Sequence, residues 1–372
     1  MYELVKTKNF IEFKNGKSIK PGGEGIYPVY GANGIIGMSN EYREGNSVII
    51  GRVGAYCGSV QFCKGHYWAS DNTIVACPKD NNTDVVFLYY SLKNANLNRW
   101  AGGAAQPLMT QTAIKQIKLP HPDIDIQRKV SSILSAYDDL IELNERRIKI
   151  LEEMARLIYK EWFVKFRFPG YKKVKMIESE LGMIPERWEV RRLSEVMDFT
   201  KGFEPGSKNY SEKELQNSIK FIRVGNLNNL SKDFVYIEKN MSKIESKQSD
   251  ILISLDGTIG KVDYGIRGAI ASGIRKCFSK MGKMYQYQLL KSAPMQGFLR
   301  GVSSGGTVLA HAGNHIKNYL LVISKDLQLE TKYSKSCDPL FEQCANLKRQ
   351  NVNLRQTGDM LLPRLISGKI EV

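Results

Sequence analysis

Between Leu143 and Phe166 the chain reads LNERRIKILEEMARLIYKEWFVKF, with apolar residues every three or four positions and charges between them. That spacing predicts an amphipathic helix. It should begin near Asp123–Asp125, after the breaker LPHPD, and end in FVKFRFPGYKKVK, where Pro169 and Gly170 interrupt it. Its inward stripe reads Val130, Leu134, Tyr137, Ile141, Asn144, Ile148, Leu151, Ala155, Ile158 and Trp162. The steps alternate four and three, the heptad rule for a helix packed along another helix. A second helix should open at SCDPLFEQ, with Asp338 as N-cap and Pro339 in the first helical position. Its stripe reads Leu340, Cys344, Leu347, Asn351, Leu354, Gly358, Leu361 and Leu365. Gly358 is a poor helix former, and Pro363 should kink or end the helix.

The stretch Val130–Trp162 would form a helix about 50 Å long. Alone in water it would not stay folded and monomeric, so the two helices are expected to pack on each other as an antiparallel coiled coil. Each stripe carries one Asn, Asn144 and Asn351. An Asn in an apolar seam fixes register and partner; the alternative is that each faces water.

The segments before each helix resemble one another. VIIGRVGAYCG (Val48–Gly58) is similar to ILISLDGTIG (Ile251–Gly260), WAS ending at Ser70 to IAS ending at Ser272, and AIKQIKLP from Ala113 to HIKNYLLV from His315. All three pairs lie about 202–203 residues apart, as a duplication requires. Short β-like runs such as NSVIIGRV, SIKFIRVG and SDILISL alternate with Gly- and Asn-rich turns. The expected fold is α+β: two tandem mixed α/β domains separated by two long helices, with an internal pseudo-twofold duplication. The expected divisions are 1–122, a first helix at 123–168, a linker at 169–184, a second domain at 185–336 and a second helix at 337–372.

The net charge of +16 points to a polyanionic partner, most often nucleic acid. Leu143–Lys175 concentrates ten Lys/Arg against four Glu. No window has the roughly 18 consecutive apolar residues of a membrane span, and the start, MYELVKTKNFIEFKNGK, has no signal-peptide pattern. The six cysteines show no paired spacing, so they are expected to be reduced thiols in a cytoplasmic protein.

A search for reaction chemistry finds little. There is no G-x-x-x-x-G-K-[ST] loop for a nucleotide, no [DNS]-P-P-[YF] stretch and no G-x-G-x-x-G turn. Cys57, Cys63, His66 and Cys77 lack zinc spacing and read as packed side chains. His311 and His315 read as loop contacts. Asp256 with Lys261 is the nearest approach to a nuclease site and lacks a second acid. No catalytic residue, metal site or cofactor of its own is expected. The residues therefore describe a chain that binds and positions.

LRQTGDMLLPRLISGKIEV (Leu354–Val372) resembles the C-terminal signature of specificity subunits of type I restriction-modification systems. IELNERRIKILEEMARLIYKEWFVKF (Ile141–Phe166) is similar to their central region, SELGMIPERWEVRRLSEV to the entry of their second target-recognition domain, and YPVYGANGIIG with GRVGAYCGSV to one class of first recognition domain. Gly358 and the exit YLLVIS, which lacks the family's proline, depart from the pattern. The resemblance implies a non-catalytic subunit in which each recognition domain reads half of a split double-stranded DNA target and the helices hold the domains apart. It implies docking of two methyltransferase subunits, which carry S-adenosylmethionine, and of restriction subunits, which use ATP and Mg2+. Arg146, Arg147, Arg156, Lys160 and Trp162 are candidate docking residues.

Candidate DNA contacts lie near the glycine turns. In the first half they are Tyr30, Asn33, Arg52, Tyr56, Asn72 and Gln106. In the second they are Lys201, Lys208, Arg223, Asn226, Thr258, Lys261 and Arg275. Arg and Lys suit phosphate or guanine, Asn and Gln suit adenine; turn formation is the alternative for Asn33 and Asn226. Two other functions stay open on the residues alone: a stand-alone DNA-binding regulator and an unrecognised nuclease.

Overall fold

The computed structural model describes residues 1–19, 24–103, 106–228, 234–303 and 312–372. They divide into two compact units, one formed by Met1–Ile141 with Asn353–Val372, the other by Glu142–Val352. Each unit takes a stretch of both long helices.

In the first unit the chain runs through β1 (Leu4–Lys6), α1 (Thr7–Phe10), β2 (Ile11–Asn15), β3 (Tyr27–Gly31), β4 (Gly34–Ser39), β5 (Arg43–Glu44), β6 (Ser47–Gly51), β7 (Val60–Cys63), β8 (His66–Ala69) and β9 (Thr73–Pro78). Two helices, α2 (Val85–Asn94) and α3 (Gln111–Gln116), and the strand β10 (Lys118–Pro120) follow. One sheet has the order β2-β9-β6-β7 and is antiparallel throughout; another has the order β4-β3-β8-β5, with β3 and β8 parallel. The strand β6 is a continuous apolar run because both its faces are covered. Val48 and Ile50 pack with Phe13, Ile74, Leu88 and Leu92, while Ile49 turns to Cys63, Tyr67 and Val75. That split is the two-residue alternation of a strand.

The long helix α4 (Ile124–Tyr159) is followed by a π-turn at Lys160–Val164 and the hairpin β11 (Met176–Ser179) and β12 (Gly182–Pro185). The second unit then lays out β13 (Trp188–Arg192), β14 (Asp198–Lys201), β15 (Ser218–Ile222), β16 (Val235–Glu238), β17 (Glu245–Ser246), β18 (Ile251–Ser254), β19 (Val262–Tyr264), β20 (Gly268–Ile270) and β21 (Ile274–Phe278). After them come α5 (Lys283–Lys291), α6 (Ala293–Ser303), β22 (Leu320–Ser324) and the long helix α7 (Gln328–Ile366). Its sheets repeat those of the first unit strand for strand: β14-β21-β18-β19, β16-β15-β20-β17 and the pair β13-β22, which matches β1-β10. The exit YLLVIS therefore makes the same strand as the proline-containing one.

Within the second unit α4 and α7 are antiparallel. Asn144 Nδ2 donates to Asn351 Oδ1 at 2.8 Å, both buried, and Tyr333 Oη donates to the Ala155 carbonyl at 2.8 Å. The two Asn residues satisfy each other inside the seam and do not face water. Leu347 is buried beside them, and Leu151, Ile158 and Leu340 are half-buried. In the first unit Val130 and Leu134 pack with Leu361, Leu365 and Ile366 against Phe87 and Tyr90 of α2. There Tyr137, Leu354 and Leu361 are half-buried, and Gly358 faces the Tyr137 Cβ.

The second long helix departs from expectation at its start. It begins at Gln328, not near Asp338, and Pro339 lies inside it. Asp338 caps a different helix: its carboxylate accepts the Met284 N–H at 2.8 Å and the Lys283 N–H at 3.3 Å, at the start of α5. The residue before α5 is Gly282, which has no side chain to do so. Nor does Pro363 end α7, which runs on to Ile366. A helix-interior proline costs about 3 kcal/mol. The cost is offset where α7 buries Tyr333, Cys337 and Phe341, and again at Leu365 and Ile366.

Replacing Asn144 by Ala removes the buried hydrogen bond from its Nδ2 to Asn351 Oδ1. It is expected to lower stability by about 1–3 kcal/mol, read from thermal unfolding of the purified protein. An Asn144→Leu/Asn351→Leu double variant should recover that loss, since an apolar pair leaves no polar group unmet.

Candidate nucleic-acid interface

In the first unit the turns at one end of the sheets are tied together by backbone bonds. The β6–β7 loop is closed by Gly51 N–H to Ser59 O at 2.9 Å and Gly58 N–H to Gly51 O at 2.8 Å. Arg52 N–H reaches Asn72 O at 3.0 Å, Met109 N–H reaches Arg52 O at 2.8 Å, and Gly54 N–H reaches Pro107 O at 3.0 Å. The Ser59 hydroxyl donates to Ala32 O at 2.6 Å and so draws in the tip of the β3–β4 hairpin. Gly58 has φ +85°, and a Cβ there would lie 2.4 Å from the Asn98 nitrogen, so the close approach of the turn Leu97–Trp100 requires glycine.

These bonds bring Asn33, Arg52, Tyr56, Asn72 and Gln106 to one end of the unit. Asn33, Tyr56, Asn72 and Gln106 are exposed and Arg52 is half-buried. The Arg52 Nε is buried with no hydrogen-bond partner among the described residues. Tyr30 is half-buried and edge-on to Tyr67, with burial and the neighbouring Cys63 raising its hydroxyl pKa. Sequence reasoning missed Arg99 and Trp100, an exposed cation–π pair on the turn against Gly58. The run NRWAGG was the available signal.

The second unit builds an equivalent loop cluster. Leu255 N–H reaches Gly273 O at 3.0 Å, Ala312 N–H reaches Leu255 O at 2.9 Å, and Gly202 N–H reaches Ile274 O at 3.0 Å. Lys201, Arg223 and Thr258 are exposed around it, and Lys208 is exposed on the separate turn Ser207–Asn209. Three candidates have partners within the unit. Asn226 is buried, and its Oδ1 accepts the Arg223 N–H at 2.9 Å, so it builds the turn. Arg275 is buried, donating to Ser272 O at 2.6 Å and pairing with Asp256 at 3.2 Å. Lys261 is half-buried, with its ammonium on Val224 O at 3.3 Å. Asp256 is thus engaged with Arg275. His315 is exposed at the turn before β22, and His311 lies outside the described residues.

On α4, Arg146 pairs with Glu142 and Arg156 with both oxygens of Glu153, while Arg147 and Lys160 are exposed. Trp162, in the inward stripe, is half-buried and meets Tyr333 edge-on at 6.1 Å. Away from that seam, Leu143, Ile150, Leu157 and Val164 form an exposed row at seven-residue spacing, with Met154 beside it. Opposite, Tyr264 of β19 and Tyr287 of α5 donate to the two oxygens of Glu152 at 2.8 and 3.0 Å and fasten α4 to both elements.

Among the described residues no cluster of three or more His, Cys, Asp or Glu could hold a metal ion. The Cys57 thiol donates to Arg52 O, and Cys77 contacts the Ser47 hydroxyl. No helix among them is long and apolar enough to cross a membrane.

The model of the type I restriction-modification DNA specificity domain matches residues 1–153 and 185–308. The chain belongs to that family. It is 27% identical over 318 residues to the MjaIX type I specificity subunit of Methanocaldococcus jannaschii, covering 79% of this chain and 71% of that one. It is 22% identical to the HindI specificity subunit of Haemophilus influenzae over 71% of each chain. The S subunit crystal structure from M. genitalium superposes with a TM-score of 0.63 over 98% of this chain and 96% of that one, at 16% identity, and shares the fold.

Arg52 and Arg275 should respond differently to substitution. Arg275→Gln breaks a buried pair and is expected to cost about 3 kcal/mol of stability. Arg52→Gln should leave the melting temperature close to unchanged and weaken DNA binding roughly 10-fold or more, the worth of a lost base or phosphate contact. Calorimetry and DNA titration on the same two samples check both.

Proposed function

We infer that this chain is the DNA sequence-recognition subunit of a type I restriction-modification enzyme. The observation that carries the reading is the strand-for-strand repeat of two domains, each ending in a loop cluster with exposed polar side chains, amides in the first and Lys and Arg in the second, in a member of this family. Lys and Arg on phosphates supply affinity, and side chains at the loop tips read base edges.

The finer reading is that each domain takes one half of a split double-stranded target and that α4 and α7 set the gap. A 36-residue helix is about 54 Å long, enough to relate half-sites lying about one turn of DNA apart, near 34 Å. The chain supplies no chemistry of its own in this reading. Two adenine methyltransferase subunits, carrying S-adenosylmethionine, dock along the helices, and restriction subunits with ATP and Mg2+ join them. The exposed row Leu143, Ile150, Leu157 and Val164 favours this over a stand-alone regulator, since a heptad row of apolar residues wants a covering helix.

Purification of the tagged chain from its native lysate should bring down an adenine methyltransferase at about two copies per chain. The complex should select a split site from random DNA and methylate it. A chain that purifies alone and binds one continuous site would replace this reading by the regulator. Binding should fall steeply with salt, and each phosphate-contacting Lys or Arg removed should flatten the log–log slope by about one.

A further inference from the structure

The tip of the β3–β4 hairpin carries two adjacent isoleucines, Ile35 and Ile36, that remain 60% and 48% exposed. In a regular strand neighbouring side chains point to opposite faces. Here the register shifts: Tyr30 pairs with Ile35 and Val29 with Gly37, which leaves Ile36 as the unpaired residue of a β-bulge. Glycines make the arrangement possible. Gly34 turns the hairpin at φ +102°, and a Cβ at Gly31 would lie 2.8 Å from the Ile36 Cγ2. The tip is not loose. Ser59 holds Ala32 O at 2.6 Å, and Gln61 donates to Gly31 O at 3.3 Å. These bonds place the isoleucines beside Asn33 and in the same loop cluster as Arg52 and Tyr56.

We propose that Ile35 and Ile36 are specificity-determining residues that contact thymine methyl groups in the DNA half-site read by the first unit. The proposal rests on the DNA-recognition reading above. A built, braced tip that keeps two branched apolar side chains in water is costly for the free protein. Among DNA groove edges, the thymine C5-methyl is the apolar feature such side chains match.

The test uses the complex purified with its partner subunits and a half-site first defined by selection from random DNA. Thymines of that half-site are replaced one at a time by uracil, which lacks only the methyl group. The unaltered complex should lose about fourfold affinity at each contacted position, the value of one buried methyl. An Ile35→Ala/Ile36→Ala complex should bind thymine DNA more weakly and no longer distinguish uracil there. Uracil in the other half-site should affect both complexes equally. The proposal is overturned if the first half-site contains no thymine, if the unaltered complex is indifferent to uracil there, or if the double variant keeps the discrimination. A complex that selects no sequence at all overturns the recognition reading, and this proposal with it.

Discussion

The hydrogen bond between Asn144 and Asn351 is the constraint from which the helical part of the second unit is built. An apolar seam alone tolerates sliding by a heptad, because Leu and Ile contacts are interchangeable. A buried amide pair does not, since any slip breaks the hydrogen bond between the two amides. With the register fixed, Cys344 falls beside Ile148 and Tyr333 beside Ala155. The aromatic group of Tyr159, Phe163, Tyr285 and Tyr333 can then close around the end of α4.

In each unit a tyrosine hydroxyl on a carboxylate ties α4 to the element packed beside it. In the second, Tyr264 and Tyr287 hold Glu152, while Lys348 of α7 pairs with Asp263 at 2.8 Å and lies over the Tyr264 ring. Burial, with Glu152 next in effect, raises both tyrosine pKa values, so they remain protonated donors. In the first, Tyr90 donates to Asp138 at 2.7 Å, and Lys93 lies over the Tyr89 ring. These directional bonds sit among apolar contacts that would permit rotation, so they fix an orientation where packing fixes only proximity.

The sequence disclosed what repeats locally. Heptad steps placed both stripes, because a helix writes its buried face at a fixed period. Three weak similarities at one offset gave the duplication, because equivalent turns need equivalent glycines. What was not legible depends on distant partners. Asp338 looks like the N-cap of its own helix, yet it caps α5, which is brought to it only by the fold. Arg275 and Asn226 share the composition of base-reading residues, and only their neighbours show them to be structural. The exposed candidates near the glycine turns were easier to find, since loop tips are defined by local turn chemistry. The pair Arg99–Trp100 gains its place in the cluster from Gly58, which is distant in sequence and meets the turn only in space.

The division of the helices between the units bears on how the protein is made. Val130 and Leu134 of the first unit pack with Leu365 and Ile366, which follow the whole of the second unit in the chain. A nascent chain emerging from the ribosome therefore presents a first unit whose helical layer lacks the cover of Leu365 and Ile366. That layer must wait, as an exposed single helix, until the second unit has been synthesised. Pairings so far apart in sequence form slowly, because closing the long intervening loop must precede any gain from the contact. The same interleaving makes the assembled chain hard to dismantle by halves: cutting between the units would leave α7 threaded through the cores of both.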